Sequence, residues 1–233
     1  MRYAVGDIHG CYKTLVKLIE ENLNVQKDDQ VYFVGDYIDR GPDSYQVVEY
    51  LMEKKSLGYP FYMVRGNHEE MLIDAWMNQT PDHFMLWMLN GAEETLGSYH
   101  IESHRYMGEA ALNELPEQHL DFFRKLPYYI ELDDYIIVHA GINFNSDQPF
   151  EDKSSMVWCR DCKNDFKKSG NRVVVAGHTP TPVEKIRKRL KKNHQRQINI
   201  DAGCVYTAYN GMGNLAALDL DGLKLYWQEN IDF

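Results

Sequence analysis

Two polar residues with metal-binding side chains follow the first apolar run of the chain. The segment "AVGDIHGCY" places Asp7 and His9 two residues apart between glycines. Alternate residues of an extended segment point to the same side, so both side chains could bind one metal ion. Alternatively, Asp7 caps the helix that follows and His9 has no chemical role. Taken alone, the segment favours capping, because strand–glycine–aspartate–helix junctions are common in α/β proteins.

The same arrangement recurs in four further segments. These are "GDYIDRG", "GNHEE", "HAG" and "GH", and each ends or follows an apolar run. Independent capping explains them poorly, because histidine is rarely a helix cap. Glycine suits such turns, which need unusual backbone angles and close approach to a ligand. The segments therefore predict one shared metal site, with these candidate ligands: Asp7, His9, Asp36, Asn67, His139 and His178.

The elements around these segments predict how the candidate ligands come together. In the first 80 residues, the apolar runs "YAVG", "QVYFVGD" and "PFYMVRGN" alternate with the amphipathic patterns "CYKTLVKLIEEN", "SYQVVEYLMEKK" and "EEMLIDAWM". This β-α order predicts a parallel sheet whose loops gather at the carboxyl ends of the strands. Residues 80–126 are expected to form a mostly helical insertion, and the second half is rich in strand patterns. We predict a single α/β domain over residues 1–233.

The composition of the chain predicts its binding partners, its location and the state of its cysteines. The net charge of −10 argues against a nucleic acid partner. No uncharged apolar stretch of about 18 residues and no cationic leader is present, so we expect a cytoplasmic protein without membrane contact. The pair Cys159 and Cys162 has no second pair to complete a zinc site, and we expect all four cysteines to be reduced thiols.

The candidate ligands offer oxygen and nitrogen donors and no thiolate. This mixture suits manganese, iron or zinc better than a structural zinc site or a calcium loop. Two such metals about 3.5–4 Å apart would activate water and bind phosphoryl oxygens. We expect two divalent metal ions, with Mn²⁺ as the ion in vitro and iron or zinc as alternatives.

Together, the motifs GD-x-H-G, GD-x-x-DRG, GNHE, HAG and GH resemble those of the metallophosphoesterase superfamily. More narrowly, they resemble the bacterial phosphoprotein phosphatase (PPP) group of serine/threonine phosphatases. The resemblance implies a four-layer α/β/β/α sandwich of two mixed sheets. It also implies a division of the ligands: Asp7, His9 and His178 on one metal, Asp36 bridging, and Asn67, His139 and His178 on the other.

The remaining motif residues are expected to bind and protonate the substrate. His68 is the candidate general acid for the leaving alkoxide, and Asp39 would orient it. Arg40 would bind phosphate through its planar guanidinium group, as the resemblance implies. Arg160 in "VWCRD" is the expected second phosphate arginine, and Arg172 at the start of an apolar strand is the alternative.

These expectations describe a metal-dependent phosphomonoesterase, a serine/threonine protein phosphatase acting on a phosphorylated protein or a small phosphomonoester. The first alternative is a symmetrical dinucleoside tetraphosphatase, but "DRG" and "GNHEE" both favour monoester cleavage. A non-catalytic phosphate-binding regulator is the second alternative. A lost ligand would support that alternative, and every ligand is present.

Two segments leave their roles open. The basic run "KIRKRLKKNHQR" at residues 185–196 could be a flap that attracts anionic substrates or an ordinary solvated face. Tyr206 or Tyr209 could lie near the site, although packing is the expected role of both tyrosines.

Overall fold

The computed structural model describes residues 1–102, 109–191 and 196–233. The strands in this part of the chain are β1 (Arg2–Val5), β2 (Gln30–Phe33), β3 (Phe61–Met63), β4 (Tyr129–Glu131), β5 (Tyr135–Val138), β6 (Val173–Ala176), β7 (Gln197–Asn199), β8 (Asn214–Asp219) and β9 (Lys224–Glu229). The α-helices are α1 (Tyr12–Val16), α2 (Ser44–Ser56), α3 (Asn67–Asn78), α4 (Pro81–Met88), α5 (Ala92–Ser98), α6 (Glu109–Leu112), α7 (Glu117–Arg124), α8 (Lys153–Trp158) and α9 (Val183–Leu190).

The strands form two mixed sheets. The first has the order β3-β2-β1-β8-β9, in which β1, β2 and β3 are parallel and β8 and β9 are antiparallel additions. The second has the order β4-β5-β6-β7, in which β5, β6 and β7 are parallel. Each sheet therefore has one edge at which three parallel strands end together.

The alternation of side chains along the strands separates two apolar layers. Ala4 and Tyr32 belong to an inner cluster that also contains Ile137 and Val175 of the second sheet. Their neighbours, including Val5, belong to a larger outer cluster with residues of α1, α2 and α3. A third cluster packs α8 on the outer face of the second sheet. The predicted α/β/β/α sandwich of two mixed sheets is confirmed.

The segment "CYKTLVKLIEEN", predicted as one α-helix, has a different helical conformation in its second half. Regular α-helix ends at Val16, and the segment Lys17–Asn22 is π-helical. There the Leu23 amide donates to the Leu18 carbonyl at 2.9 Å, five residues back. Further along, residues 80–126 carry α4 to α7, apart from residues 103–108, which lie outside the described part of the chain.

The prediction that all cysteines are reduced is wrong for one pair. Cys159 and Cys162 form a disulfide, whereas Cys11 and Cys204 are free and buried. The reason is local: α8 ends at Trp158, and extended backbone at Cys159 turns the chain so that the two Cα atoms lie 5.7 Å apart. Hydrophobic periodicity contains no information about such a turn.

The basic run is largely a solvated helix face as far as residue 191. Val183 and Ile186 of α9 pack against Ala216 and Leu225, while the basic side chains of the helix are exposed. Residues 192–195 of the run lie outside the described part of the chain. In the described residues, no helix is long and apolar enough to span a bilayer.

Candidate metal centre

The six candidate ligands come together where the parallel strands of both sheets end. Asp7 and His9 follow β1, Asp36 follows β2, and Asn67 opens α3 after β3; His139 and His178 follow β5 and β6. All six are buried. Residues from strand ends of two different sheets thus enclose one small polar volume.

Asp36 lies at the centre of the group. Its Oδ1 is 3.4 Å from Nε2 of His139, and its Oδ2 is 3.5 Å from Nε2 of His9. Two groups of potential ligand atoms share this carboxylate: His9, Asp36 and His68 in one, and Asp36, His139 and His178 in the other. A shared carboxylate is the arrangement that a bridging ligand between two metals requires.

Three polar atoms on one side of Asp36 converge as the ligands of a metal ion would. His139 Nδ1 lies 2.9 Å from the Val34 carbonyl oxygen and donates to it, which leaves a lone pair on Nε2. That Nε2 lies 2.8 Å from Asn67 Oδ1 and 3.1 Å from His178 Nδ1. A metal ion would accept the lone pairs of all three atoms. The donor set therefore fits a nitrogen- and oxygen-ligated metal.

The other side of the centre also presents potential ligand atoms. His9 Nδ1 donates to the Ile38 carbonyl oxygen at 3.0 Å, so Nε2 carries a lone pair, which Arg40 Nη1 approaches at 2.9 Å. Asp7 Oδ2 accepts from the backbone amide of His178 at 2.9 Å. The second oxygen of Asp7, Oδ1, is buried and has no hydrogen-bond partner among the described residues. A buried carboxylate oxygen without a donor is costly unless a cation binds it.

The protonation states favour metal binding. Burial lowers the pKa of His9 and of His139, and it lowers that of His178 to about 4 with help from the positive charge of Arg160. These imidazoles are therefore neutral at neutral pH, as ligands must be. Burial and the charges of Asp201 and Asp36 raise the pKa of Asp7, so a proton competes with a metal ion for this carboxylate.

The backbone of the site is strained at several ligands. His9, Asp36 and His178 have φ values of 49°, 54° and 67°, in the left-handed region that non-glycine residues rarely adopt. Asp39 and Arg40 have φ values of 72° and 71°. Such strain persists only where the surroundings enforce it, and it concentrates at functional sites.

Glycine is required at two positions because a neighbouring side chain lies too close to leave room for a Cβ. A Cβ on Gly66 would collide with the backbone and carboxylate of Asp36. A Cβ on Gly177 would collide with Asp7 Oδ1. Both motif glycines therefore leave room for a neighbouring ligand to reach its position.

His68 and Asp39 form a buried pair beside the metal centre. His68 Nδ1 lies 2.7 Å from Asp39 Oδ2, and both residues are fully buried. Nε2 of His68 faces the centre, 3.9 Å from Asp36 Oδ2, and has no hydrogen-bond partner among the described residues. Burial lowers the pKa of His68, but the charges of Asp36 and Asp39 outweigh it and the net shift is upward.

The arginines differ in their distance from the centre. Arg40 Nη1 lies 2.9 Å from His9 Nε2, and its guanidinium lies 5.9 Å from the ring of Tyr206. Arg160 is exposed, yet its charge lowers the pKa of His178, and the neighbouring Trp158 ring lies 6.3 Å from the His178 ring. Arg172 instead pairs with Glu131 at 3.1 Å. Of these two arginines, Arg160 acts electrostatically on His178, whereas Arg172 is engaged in an ion pair.

Glu69 is a site residue to which the sequence assigned no role. Its buried carboxylate accepts hydrogen bonds from the amides of Asp36, Tyr37 and Gly66 at 3.0, 2.8 and 2.9 Å. It therefore joins the loop of the central ligand to the start of α3. Its position three residues after Gly66 matches the spacing of a helix capping box, which was the available signal.

A model of one protein family aligns with most of the chain. A family model described as calcineurin-like phosphoesterase matches residues 3–208. The chain belongs to this family. Calcineurin-like phosphoesterases are metallophosphoesterases, and the shared Asp36 and the clustered histidines fit their dinuclear metal centre.

Similar proteins divide between two activities. An asymmetrical bis(5'-nucleosyl)-tetraphosphatase PrpE of Geobacillus sp. is 29% identical over 232 residues, which cover 87% of this chain and 85% of the relative. Serine/threonine-protein phosphatase 1 of Salmonella typhimurium is 40% identical, but over 91 residues that cover 39% of this chain and 38% of the relative. This chain is therefore a phosphoesterase whose relatives include both a dinucleotide hydrolase and a protein phosphatase.

Solved structures show the same fold. A putative diadenosine tetraphosphatase matches with a TM-score of 0.62 at 22% identity, over 97% of this chain and 91% of the other. A serine/threonine phosphatase from Saccharomyces cerevisiae matches with a TM-score of 0.64 at 16% identity, over 100% of this chain and 80% of the other. At these identities the similarity shows the architecture alone.

Proposed function

We propose that this phosphoesterase is a metal-dependent phosphomonoesterase that acts on phosphoserine or phosphothreonine in proteins. The observation that carries the proposal is the buried His68–Asp39 pair beside a centre shared through Asp36. A serine or threonine alkoxide is a poor leaving group and needs a proton as it departs. A histidine with a raised pKa, held by a carboxylate, is suited to supply that proton.

The ligands fit two divalent ions, and we propose Mn²⁺ as the ion that supports activity in vitro. Asp7 and His9 would bind one ion and Asn67 and His139 the other, with Asp36 between them and His178 adjacent. Bound metals would supply Lewis acidity that activates a water molecule for direct attack on phosphorus and neutralises phosphoryl oxygens.

The protein groups around the metals divide the remaining tasks. Arg40 and Arg160 would bind the non-bridging phosphoryl oxygens and stabilise the charge that develops on them. Asp39 accepts from His68 Nδ1 and so directs Nε2 toward the centre, where the leaving oxygen would receive the proton. No side chain needs to form a covalent intermediate in this scheme.

Asymmetrical dinucleoside tetraphosphate hydrolysis is the second candidate. Similarity to PrpE over 87% of the chain supports this activity. The alternative named from the sequence was the symmetrical tetraphosphatase, and the asymmetrical activity now takes its place. A nucleoside polyphosphate is a better leaving group than an alkoxide, so this reaction depends less on a proton from the His68–Asp39 pair. That chemical difference favours the monoester as substrate. A cytoplasmic location is part of the proposal for a phosphoprotein substrate.

Comparing three substrates tests the proposal. The purified protein with Mn²⁺ is assayed on a phosphoserine peptide, p-nitrophenyl phosphate and diadenosine tetraphosphate, with Asp36→Asn as the inactive control. We expect the highest kcat/KM on the monoesters and none of the activities in Asp36→Asn. Preferential cleavage of diadenosine tetraphosphate would replace the proposal with the second candidate. Phosphate ester binding without turnover would indicate a regulatory protein.

A further inference from the structure

Two helices of the 80–126 segment reach the carboxylate of Asp39. Trp87 of α4 donates from Nε1 to both oxygens of Asp39, at 3.1 and 3.0 Å. Thr95 of α5 donates from Oγ1 to Asp39 Oδ1 at 2.7 Å. These contacts span 48 and 56 residues of sequence, and all three side chains are at most 1% exposed.

The hydrogen bonds leave Asp39 no alternative orientation. Thr95 Oγ1 also accepts from the Asp39 amide at 2.8 Å, so the same hydroxyl holds both backbone and side chain. Thr95 occupies Oδ1 and the Trp87 N–H is shared between both oxygens, so the carboxylate is held with Oδ2 facing His68 Nδ1 at 2.7 Å. The unfavourable backbone angle of Asp39, with φ of 72°, is held by this network.

The loop between the two helices touches the phosphate-binding arginine as well. The Gly91 carbonyl accepts from the Arg40 amide at 3.0 Å. Glycine is needed there, because a Cβ would collide with Arg40. The α4–α5 segment therefore contacts the main chain of both residues in the Asp39–Arg40 pair.

We infer that Trp87 and Thr95 are positioning residues for proton donation by His68: they fix the Asp39 carboxylate, which in turn holds the His68 ring with Nε2 toward the metal centre. The inference rests on the proposed role of His68 as general acid. It assigns the α4–α5 segment a part in the chemistry, beyond its contribution to the core.

Removing each donor alone tests the inference. Trp87→Phe and Thr95→Val keep most of the buried volume and lose the hydrogen bond. With Mn²⁺, we expect kcat on a phosphoserine peptide to fall about 10-fold or more, a part of the roughly 10²–10⁴-fold that general acid catalysis supplies. On p-nitrophenyl phosphate, we expect a change of less than about 2-fold, since that leaving group needs no proton. Thr95→Ser, which retains the hydroxyl, should restore the activity.

Two controls separate positioning from loss of packing. Phe84→Leu disturbs the ring that packs on Trp87 at 6.3 Å without touching Asp39, and it should leave the ratio of the two activities unchanged. In a His68→Asn background, Trp87→Phe should cause no additional loss, because residues that act through one group are not additive. Equal losses on both substrates, or additive losses in the double variant, would overturn the inference.

A second readout does not depend on the substrate. The Nδ1 proton of His68, bonded to Asp39 and buried, should give a downfield NMR signal protected from exchange. We expect Trp87→Phe and Thr95→Val to broaden or shift this signal and Phe84→Leu to preserve it. An unchanged signal in both donor variants would overturn the inference whichever substrate the enzyme hydrolyses. Failure of the wild-type protein to cleave phosphomonoesters would instead contradict the proposed function alone.

Discussion

At the scale of single residues, the sequence alone identifies one arginine of the site, and the structure is needed to choose the other. Arg40 adjoins Asp39 in the "DRG" motif, so its place in the site could be predicted. Between Arg160 and Arg172, the sequence favoured Arg160 without excluding the other. Arg172 forms an ion pair with Glu131, whereas Arg160 acts electrostatically on His178, and for this reason we propose Arg160 as the residue that binds phosphate.

Arg160→Ala should therefore reduce kcat/KM on p-nitrophenyl phosphate by about 10- to 100-fold, the equivalent of a charged hydrogen bond of roughly 1.5–3 kcal/mol. Both KM and kcat should change, since phosphate is bound in the ground state and the transition state. Arg172→Ala is the matched control and should stay within about 2-fold of wild type, because it removes a partly exposed ion pair away from the centre. The reverse ranking of the two variants would assign the phosphate to Arg172.

The residues of the centre could be predicted because their signals are local. Each candidate ligand lies within two residues of a glycine at the end of an apolar run, and parallel strands end at a common edge. Trp87 and Thr95 could not be predicted, because their hydrogen bonds to Asp39 join segments about 50 residues apart. Tyr206 was expected to have a packing role, and its ring lies against Arg40.

At the scale of elements, the turn after α8 carries a constraint that hydrophobic patterns do not reveal. The Cys159–Cys162 disulfide closes a four-residue loop, and Arg160 lies inside it. Opening the disulfide gives this exposed segment more conformations. Ordering Arg160 on phosphate then costs more conformational entropy.

Reduction of the disulfide should consequently weaken substrate binding. We expect dithiothreitol, or the double change Cys159→Ser and Cys162→Ser, to raise KM for p-nitrophenyl phosphate about 2- to 10-fold, as ordering one long side chain costs about 0.5–1.5 kcal/mol. In an Arg160→Ala background the same reduction should have no effect on KM. A KM that responds to dithiothreitol equally in both backgrounds would show that the disulfide acts on another part of the site.

The strand pattern was the most predictable feature at this scale. Runs such as "YIIVHAG" and "RVVVAGH" became β5 and β6, each followed by a ligand histidine. The helix at Cys11 was less predictable, since an α-helix and a π-helical turn bury nearly the same face. Solvation and packing of the Leu18 region, rather than periodicity, decide between them.

At the scale of the whole molecule, the centre stores unfavourable charge that metal binding relieves. Burial raises the pKa of Glu69 and of Asp201 to about 7 and raises that of Asp7. The folded metal-free protein therefore keeps protons that the unfolded chain releases at lower pH. Its free energy of unfolding should fall as pH rises through about 7. The candidate ligand histidines have lowered pKa values in the folded protein, so they oppose this trend around pH 6.5 and stop doing so above about pH 7.5, where they are largely neutral in both states.

Mn²⁺ should accordingly raise the Tm more at pH 8 than at pH 6.5, because at the lower pH the metal must displace the proton of Asp7. Thermal unfolding of metal-free protein with and without Mn²⁺ at the two values measures the effect. Asp36→Asn is the control, and Mn²⁺ should raise its Tm much less at both pH values. A larger gain at pH 6.5 would contradict the assignment of Asp7 as a metal ligand.

In the proposed function, residues from both sheets and from α4 and α5 form one site that donates a proton and cleaves the phosphate ester. The most direct test of this proposal is how the effect of His68→Asn depends on the leaving group, with metal content measured in parallel. We predict a loss of about 10²–10⁴-fold on a phosphoserine peptide, a distinctly smaller loss on p-nitrophenyl phosphate, and unchanged metal content. Equal losses on both substrates with both metals bound would contradict the account, because His68 would then position phosphate or water rather than donate the proton.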